Sequence, residues 1–296
     1  TDLKSKMSDD VAGMMLTQPN TLGLFEDEIA AITGLIHSVG AIMYMDGANL
    51  NALMGLSRSV DMGFDITHIN LHKTFSTPHG GGGPGAGPIG VVEKLVPYLP
   101  QPLVEAVANP QEGGGEVRYG WATGNDHSVG RVHGFHGNFG MLVRAYAYIL
   151  SLGEEGLRSI SRRAIVNANY LKSLLTDIYD LPYGEGNMHE FVLSGNRQKR
   201  QGVRTLDLAK ALLDYGFHAP TVYFPLVVPE ALMIEPTESE SRATLDRFSE
   251  ALHDIDRQVQ DDPEAFLEAP RNTPVRRLDE TRANRQLDVR WLGGAR

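Results

Sequence analysis

The chain lacks cysteine altogether, has no long apolar run and carries no stripe of basic charge. None of its 296 residues is cysteine, which excludes disulfides, thiol catalysis and cysteine-bound metals and fits an intracellular, cytoplasmic protein. The net charge of −10 argues against a nucleic-acid partner. No stretch reaches the about 18 apolar residues that a membrane-spanning helix needs. We therefore expect neither nucleic acid nor a membrane as a partner.

The apolar residues that are present, 42% of the chain, suffice for a sizeable core in one or two domains. An apolar run at residues 12–17 is followed by helical periodicity at 26–38 and by further apolar runs at 40–45, 66–71 and 88–92. Strand, helix and strand in this order are typical of a parallel sheet covered by helices. The pattern predicts an α/β fold with three or four parallel strands.

One predicted strand ends on a lysine. The apolar run at residues 66–71 delivers His72 and Lys73 to a loop rich in Ser, Thr and Pro. Open α/β sheets place their chemistry at the carboxyl ends of strands. A lysine held there among apolar residues can stay unprotonated and attack an aldehyde, which pyridoxal phosphate (PLP) enzymes require. The alternative is a surface lysine before a flexible loop.

A neighbouring predicted strand, residues 40–45, stops at Asp46 in an Asp-Gly turn signal. In PLP enzymes an aspartate at such a position pairs with the pyridinium nitrogen and keeps it protonated, so that the ring can accept electrons. The alternative is an aspartate that only makes the turn. Because neighbouring parallel strands end at one rim, Asp46 and Lys73 together favour a PLP site.

Other polar groups are predicted near a ring bound between these two strand ends. Asn20 and Thr21 lie in the turn after the first strand, although both could be purely structural. His72 is a candidate to contact the cofactor or its phosphate, and its alternative is a buried, hydrogen-bonded histidine. Thr74 or Ser76 could contact the phosphate in its place. These assignments make Asn20, Thr21 and His72 candidate cofactor-binding residues beside Lys73 and Asp46.

The histidines near Lys73 do not predict a metal site. His68, His72 and His79 have the spacing of neither a helical i,i+4 pair nor a zinc finger. The glycine-rich segment at residues 80–87 does not have the spacing of a nucleotide phosphate loop. We interpret it as a wall of the active site, with a flexible linker as the alternative, and expect no bound metal.

Seven segments, in order along the chain, resemble the glycine decarboxylase P-protein. They are residues 16–26, 45–49, 68–85, 188–194, 215–221, 235–240 and 273–280. A further segment, residues 130–146, is similar to the C-terminal subunit of two-chain P-proteins, subunit 2. The resemblance implies that the chain is this subunit without its N-terminal part.

The resemblance implies the PLP-dependent fold type I, which is the aspartate aminotransferase-like α/β fold. The chain would hold the C-terminal part of the large domain and a small α+β C-terminal domain. The implied domains are the remainder of the PLP-binding domain (1–138), bridging helices (139–187), the small domain (188–261) and an irregular tail (262–296). Without the N-terminal part, the ring-stacking residue would be missing, and independent folding or PLP binding becomes a question for experiment.

The resemblance also implies a reaction, that of glycine dehydrogenase (aminomethyl-transferring), an oxidoreductase of glycine catabolism. Lys73 would hold PLP, Asp46 would pair with the pyridinium, and glycine would lose its carboxylate as carbon dioxide. The aminomethyl group would pass to the lipoyl arm of H-protein. Expected partners are lipoylated H-protein and P-protein subunit 1, in a heterotetramer. The alternatives are another fold type I decarboxylase or aminotransferase, or a non-catalytic scaffold subunit.

Overall fold

The chain divides into two compact units at the junction of Ala164 and Ile165. The computed structural model describes residues 2–106, 117–132 and 134–290. The end of the predicted irregular tail, residues 291–296, lies outside the described residues. No helix of the described ranges combines the length and the apolarity needed to cross a bilayer.

The first unit is built on a four-stranded sheet with the strand order β1-β2-β3-β4. Its strands are β1 (Gly13–Thr17), β2 (Ile42–Gly47), β3 (Ile66–Ile69) and β4 (Ile89–Val91). The first three are parallel, as predicted, but β4 pairs antiparallel with β3. Three of the expected three or four parallel strands are therefore present, and the fourth strand of the sheet is antiparallel.

Strand β2 alternates between a fully buried and a half-buried face. Met43 and Met45 are completely buried, whereas Tyr44 and Asp46 point to the opposite face and stay partly accessible. Helix α2 (Ile29–His37) contacts β2 and contributes a buried stripe of its own. The alternation therefore places the side chains of Tyr44 and Asp46 together on the accessible face.

The remaining elements of the first unit are helices and a hairpin. The hairpin joins β5 (Leu103–Ala106) to β6 (Tyr119–Ala122). The helices are α1 (Asp2–Ser5), α3 (Leu71–Thr74) and α4 (Phe139–Ser173), with 3-10 turns at Leu50–Ala52, Ser59–Met62 and Glu93–Tyr98. Helix α4, in which the unit ends, is interrupted at Gly153, whose φ of 60° and ψ of −174° are not helical.

The second unit combines a three-stranded antiparallel sheet of order β7-β9-β8 with helices. The strands are β7 (Phe191–Ser194), β8 (Thr221–Val222) and β9 (Ala231–Ile234). The helices are α5 (Asn196–Lys199), α6 (Thr205–Asp214), α7 (Arg242–Asp261) and α8 (Glu280–Arg285), and a 3-10 turn spans Pro263–Glu268. Leu193 of β7, Leu212 of α6 and Leu252 of α7 are fully buried in a single core, so sheet and helices stabilise each other.

Candidate active site

Asp46 lies at the carboxyl edge of the parallel sheet, in register with a polar residue on each side. Its neighbours across the strands are Thr17 of β1 and His68 of β3. The Asp46 Oδ1 atom accepts a hydrogen bond from the Ala48 N–H at 2.9 Å and lies 3.1 Å from His68 Nε2. The Ala48 N–H donor and the adjacent imidazole restrict the orientation of this half-buried carboxylate.

Gly47, which directly follows Asp46, belongs to the strand and not to a turn. The prediction that the strand stops at Asp46 is wrong, since β2 continues and Gly47 pairs with Ile69 of β3. A Cβ atom at Gly47 would lie 2.0 Å from the carbonyl oxygen of His68. Glycine at this position therefore permits the close approach of β2 and β3 that brings Asp46 beside His68.

Replacing Gly47 by alanine is expected to destabilise the chain by about 3 kcal/mol or more, because the added methyl group meets backbone and forces the strands apart. Denaturant unfolding of the full chain measures the change. The matched control is Gly90→Ala in β4 of the same sheet, where no described atom lies within 4 Å of the added Cβ. Equal unfolding free energies for the two variants would contradict the close approach.

His68 joins Asp46 to Tyr44. The His68 Nδ1 atom lies 3.0 Å from the Tyr44 hydroxyl, and Nε2 also lies 3.1 Å from Asn70 Oδ1. If Nε2 carries the proton, that proton lies between the oxygens of Asn70 and Asp46, and Nδ1 accepts from the tyrosine hydroxyl. Burial, and next the charge of Asp46, raise the pKa of Tyr44, which keeps the hydroxyl protonated as a donor. The residues form a hydrogen-bonded chain that ends on the carboxylate.

Lys73 follows β3 at the same edge but does not sit on a strand. The prediction of a strand running to Leu71 is wrong, because β3 ends at Ile69 and the chain turns at once into the single helical turn α3. The Lys73 N–H donates to the Asn70 carbonyl at 3.0 Å, and its side chain is exposed. Since β2 and β3 are parallel, Asp46, the penultimate residue of β2, and Lys73 after β3 lie at the carboxyl ends of neighbouring strands.

Three buried polar atoms close to Lys73 in the chain have no hydrogen-bond partner in the described ranges. They are His72 Nδ1, Thr74 Oγ1 and Thr77 Oγ1. Burial, followed by the charges of His79 and Lys73, lowers the pKa of His72, so its imidazole is neutral near pH 7. Buried polar groups rarely stay unpaired in folded proteins, so this set is suited to contacts with a bound molecule.

The ring of His72 lies beside His79 and the glycine-rich segment. Its ring meets that of His79 edge to face, with centroids 5.2 Å apart, and the glycine-rich segment lies alongside, where a Cβ at Gly85 would be 3.5 Å from Nδ1. Ser76, the other phosphate candidate, is exposed and has a left-handed φ of 56°. His72 and the buried Thr74 are therefore better enclosed than Ser76. Contact of any of these three residues with the cofactor phosphate stays a prediction.

Asn20 holds the turn after β1 together. Its Oδ1 atom accepts hydrogen bonds from the N–H groups of Leu22 and Leu24, at 2.9 and 3.2 Å. The Nδ2 group of Asn49, in the loop after Asp46, donates to the carbonyl of Pro19 at 3.0 Å and ties the two loops together. Asn20 thus has the structural role that was given as the alternative to cofactor binding. Contact of Asn20 or the half-buried Thr21 with a cofactor stays a prediction.

Solved structures share this architecture. The crystal structure of glycine decarboxylase (P-protein) of the glycine cleavage system, in inhibitor-bound form, matches 84% of this chain and 56% of its own with a TM-score of 0.67 at 21% identity. A sphingosine-1-phosphate lyase from Burkholderia pseudomallei matches 89% and 56%, with a TM-score of 0.62 at 14% identity. The chain has the fold of PLP-dependent fold type I proteins, as predicted.

Comparison of sequences finds similarity to one kind of protein. The family profile described as "Glycine dehydrogenase, C-terminal domain" matches residues 160–275. "Probable glycine dehydrogenase (decarboxylating) subunit 2" of Chlorobium phaeovibrioides is 60% identical over 97% of this chain and 59% of that protein. Its namesake in Caldanaerobacter subterraneus subsp. tengcongensis is 55% identical over 98% of this chain and 58% of that protein. In sequence the chain is therefore similar to glycine dehydrogenase subunit 2 proteins, and it spans slightly under three fifths of these relatives' length.

Proposed function

We propose that this chain contributes the PLP-bearing site of glycine decarboxylase. The reaction is decarboxylation of glycine with transfer of the aminomethyl group to the lipoyl arm of H-protein. The observation that carries the proposal is the pair Asp46 and Lys73 at the carboxyl ends of the parallel strands β2 and β3. The names of the sequence relatives support it. A companion subunit 1, a heterotetrameric assembly and a cytoplasmic location belong to the same proposal.

The side chains around this edge have the chemistry that PLP needs. A carboxylate (Asp46) suits the pyridinium nitrogen, an amine (Lys73) suits the aldehyde, and the unpaired hydroxyls of Thr74 and Thr77 suit the phosphate. His72 adds a neutral imidazole to this set. When bound, PLP supplies an electron sink for the carbanion that remains after carbon dioxide leaves glycine.

Lys73 would hold the cofactor covalently. Its exposed side chain can reach a bound molecule, and α3 fixes its backbone through the hydrogen bond to Asn70. An amine at this position would hold the cofactor aldehyde covalently and reversibly, which leaves the cofactor accessible to the amino group of glycine.

His68 and Tyr44 would act on the reaction through Asp46. The Tyr44 hydroxyl holds the imidazole of His68, and that imidazole holds one carboxylate oxygen of Asp46. With Oδ1 also bound by the Ala48 N–H, the carboxylate has little freedom to rotate. A carboxylate fixed in advance stabilises the pyridinium proton without reorganising during the reaction. His68 and Tyr44 are therefore positioning residues in this proposal.

The test is exchange of isotope-labelled carbon dioxide with the carboxylate of glycine. The full chain is mixed with PLP, the companion subunit and lipoylated H-protein, and each component is omitted in turn. We expect exchange that depends on this chain and on glycine. A folded chain that assembles with the companion but supports no exchange would favour the scaffold alternative. Exchange with another amino acid in place of glycine would favour a different fold type I decarboxylase.

A further inference from the structure

His189 in the second unit is completely buried, and its ring has no hydrogen-bond partner. Its side chain has 0% exposure, and neither Nδ1 nor Nε2 makes a hydrogen bond within the described part of the chain. Buried imidazoles normally satisfy at least one ring nitrogen. A neutral imidazole keeps a free lone pair on one ring nitrogen.

Two carboxylates surround the Nε2 atom of this ring. Nε2 lies 3.6 Å from Glu190 Oε1 and 3.9 Å from Glu235 Oε1, and the ligand atoms of the three residues lie within 4.8 Å of one another. Both distances exceed those of hydrogen bonds. They are close to the about 3.4 Å that separates two atoms bound at about 2.1 Å to one tetrahedral metal ion. The spacing therefore suits ligands that share a cation better than direct partners.

The arrangement is held by the sheet of the second unit. His189 and Glu190 directly precede β7, and Glu235 directly follows β9. The two strands pair antiparallel, with Phe191 opposite Ile234, so the register brings Glu190 and Glu235 to the same end of the ladder. Sites carried by regular strands hold their ligands more rigidly than sites on loops. The three side chains are thus positioned before any ion binds.

We propose that His189, Glu190 and Glu235 form a binding site for a divalent transition metal such as Zn²⁺ or Mn²⁺. One imidazole nitrogen and two carboxylates are a donor set that these ions accept. Glu190 is buried, whereas Glu235 is 40% exposed and gives the ion a path to solvent and a position for water. The metal joins the ends of β7 and β9, and the site is independent of the reaction proposed above.

This proposal departs from the expectation of a metal-free chain drawn from the sequence. That expectation considered only the histidines near Lys73. Glu235 is far from His189 in the chain, and no ligand motif links them. The register of β7 and β9 brings them together, which a pattern of neighbouring residues does not reveal.

The experiment uses the full chain, stripped of metal with a chelator and shown by circular dichroism to be folded. Calorimetric titration with Zn²⁺ and Mn²⁺ is expected to give one bound ion per chain, and either ion should raise the thermal unfolding midpoint. Co²⁺ bound at this site should show the visible absorption bands of an ion in a low-symmetry environment. The informative variant is Glu235→Gln, which keeps the size of a partly exposed side chain. It should weaken binding by about tenfold or more, because even loss of a group behind a ligand costs about 10- to 100-fold.

Two further variants complete the design. His189→Ala should abolish binding, and the exposed His127→Ala should bind the metal as the unmodified chain does. If His189→Ala fails to fold, Glu235→Gln still decides the question. Equal affinity of Glu235→Gln and the unmodified chain would mean an adventitious ion only and would overturn the proposal. Absence of binding to the folded, unmodified chain would overturn it as well.

Discussion

Replacement of Lys73 by alanine is expected to lower glycine decarboxylation by roughly 10⁴-fold or more, the scale on which loss of a covalent nucleophile lowers kcat. Alanine offers no amine to the cofactor aldehyde, so covalent attachment should be lost together with activity. The exchange of labelled carbon dioxide measures the rate. Reduction of the PLP-loaded chain with borohydride, followed by peptide mapping, measures attachment and should find the label on Lys73 in the unmodified chain.

The matched control for this variant is Lys6→Ala. Lys6 is an exposed lysine of the same unit, and its partner is Asp2 in an exposed ion pair. Exposed pairs contribute little to stability, so this variant should keep both activity and the mapped label. A Lys73→Ala chain that still carried reducible PLP would assign the attachment to another lysine and contradict the proposed role.

The second large effect is expected from Asp46→Asn, which should reduce decarboxylation by about 10²- to 10⁴-fold, as loss of a positioned proton-transfer or charge-stabilising group does. The amide oxygen of asparagine can still accept the hydrogen bond from the Ala48 N–H. The fold and covalent PLP attachment should therefore survive, while the negative charge that holds the pyridinium proton is lost. Comparing the exchange rate with borohydride trapping separates these two effects.

A double-mutant cycle with His68→Gln tests whether His68 acts through Asp46. In the unmodified chain, His68→Gln should lower the exchange rate, because the Oδ1 atom of the carboxylate loses the imidazole beside it. In the Asp46→Asn background the same change should have little further effect. Tyr44→Phe, which removes only the hydroxyl behind His68, should behave as a weaker His68 variant. Additive effects in the cycle would contradict the positioning role.

Local patterns were enough to predict the three parallel strands and helix α2 of the first unit. The apolar runs at β1, β2 and β3 and the periodicity of α2 are properties of neighbouring residues. The end of β3 was not predictable in this way. Leu71 is buried and fits the apolar pattern, but it belongs to a helical turn, and a run this short does not distinguish strand from helix. The apolar run of β4 does not reveal that this strand pairs antiparallel with β3.

Of the candidate site, too, only a part was predictable from local patterns. Asp46 and Lys73 were predictable because each follows an apolar run of its own. The hydrogen-bonded chain through His68 was not, because it depends on the register that sets His68 opposite Asp46. One signal was present in the sequence. Tyr44 and Asp46 are two residues apart on a strand and therefore share a face, which predicts a common neighbour on the adjoining strand.

The break in helix α4 has an electrostatic consequence. Almost only glycine adopts the backbone conformation of Gly153. This conformation divides α4 into two helices, each with its own dipole. Glu154 and Glu155 then occupy the first turn of the second helix, where the positive end of a dipole stabilises acidic side chains. In an uninterrupted helix these two carboxylates would lie in mid-segment and lose that stabilisation. The glycine and the two glutamates thus act together to start a new helix at this point.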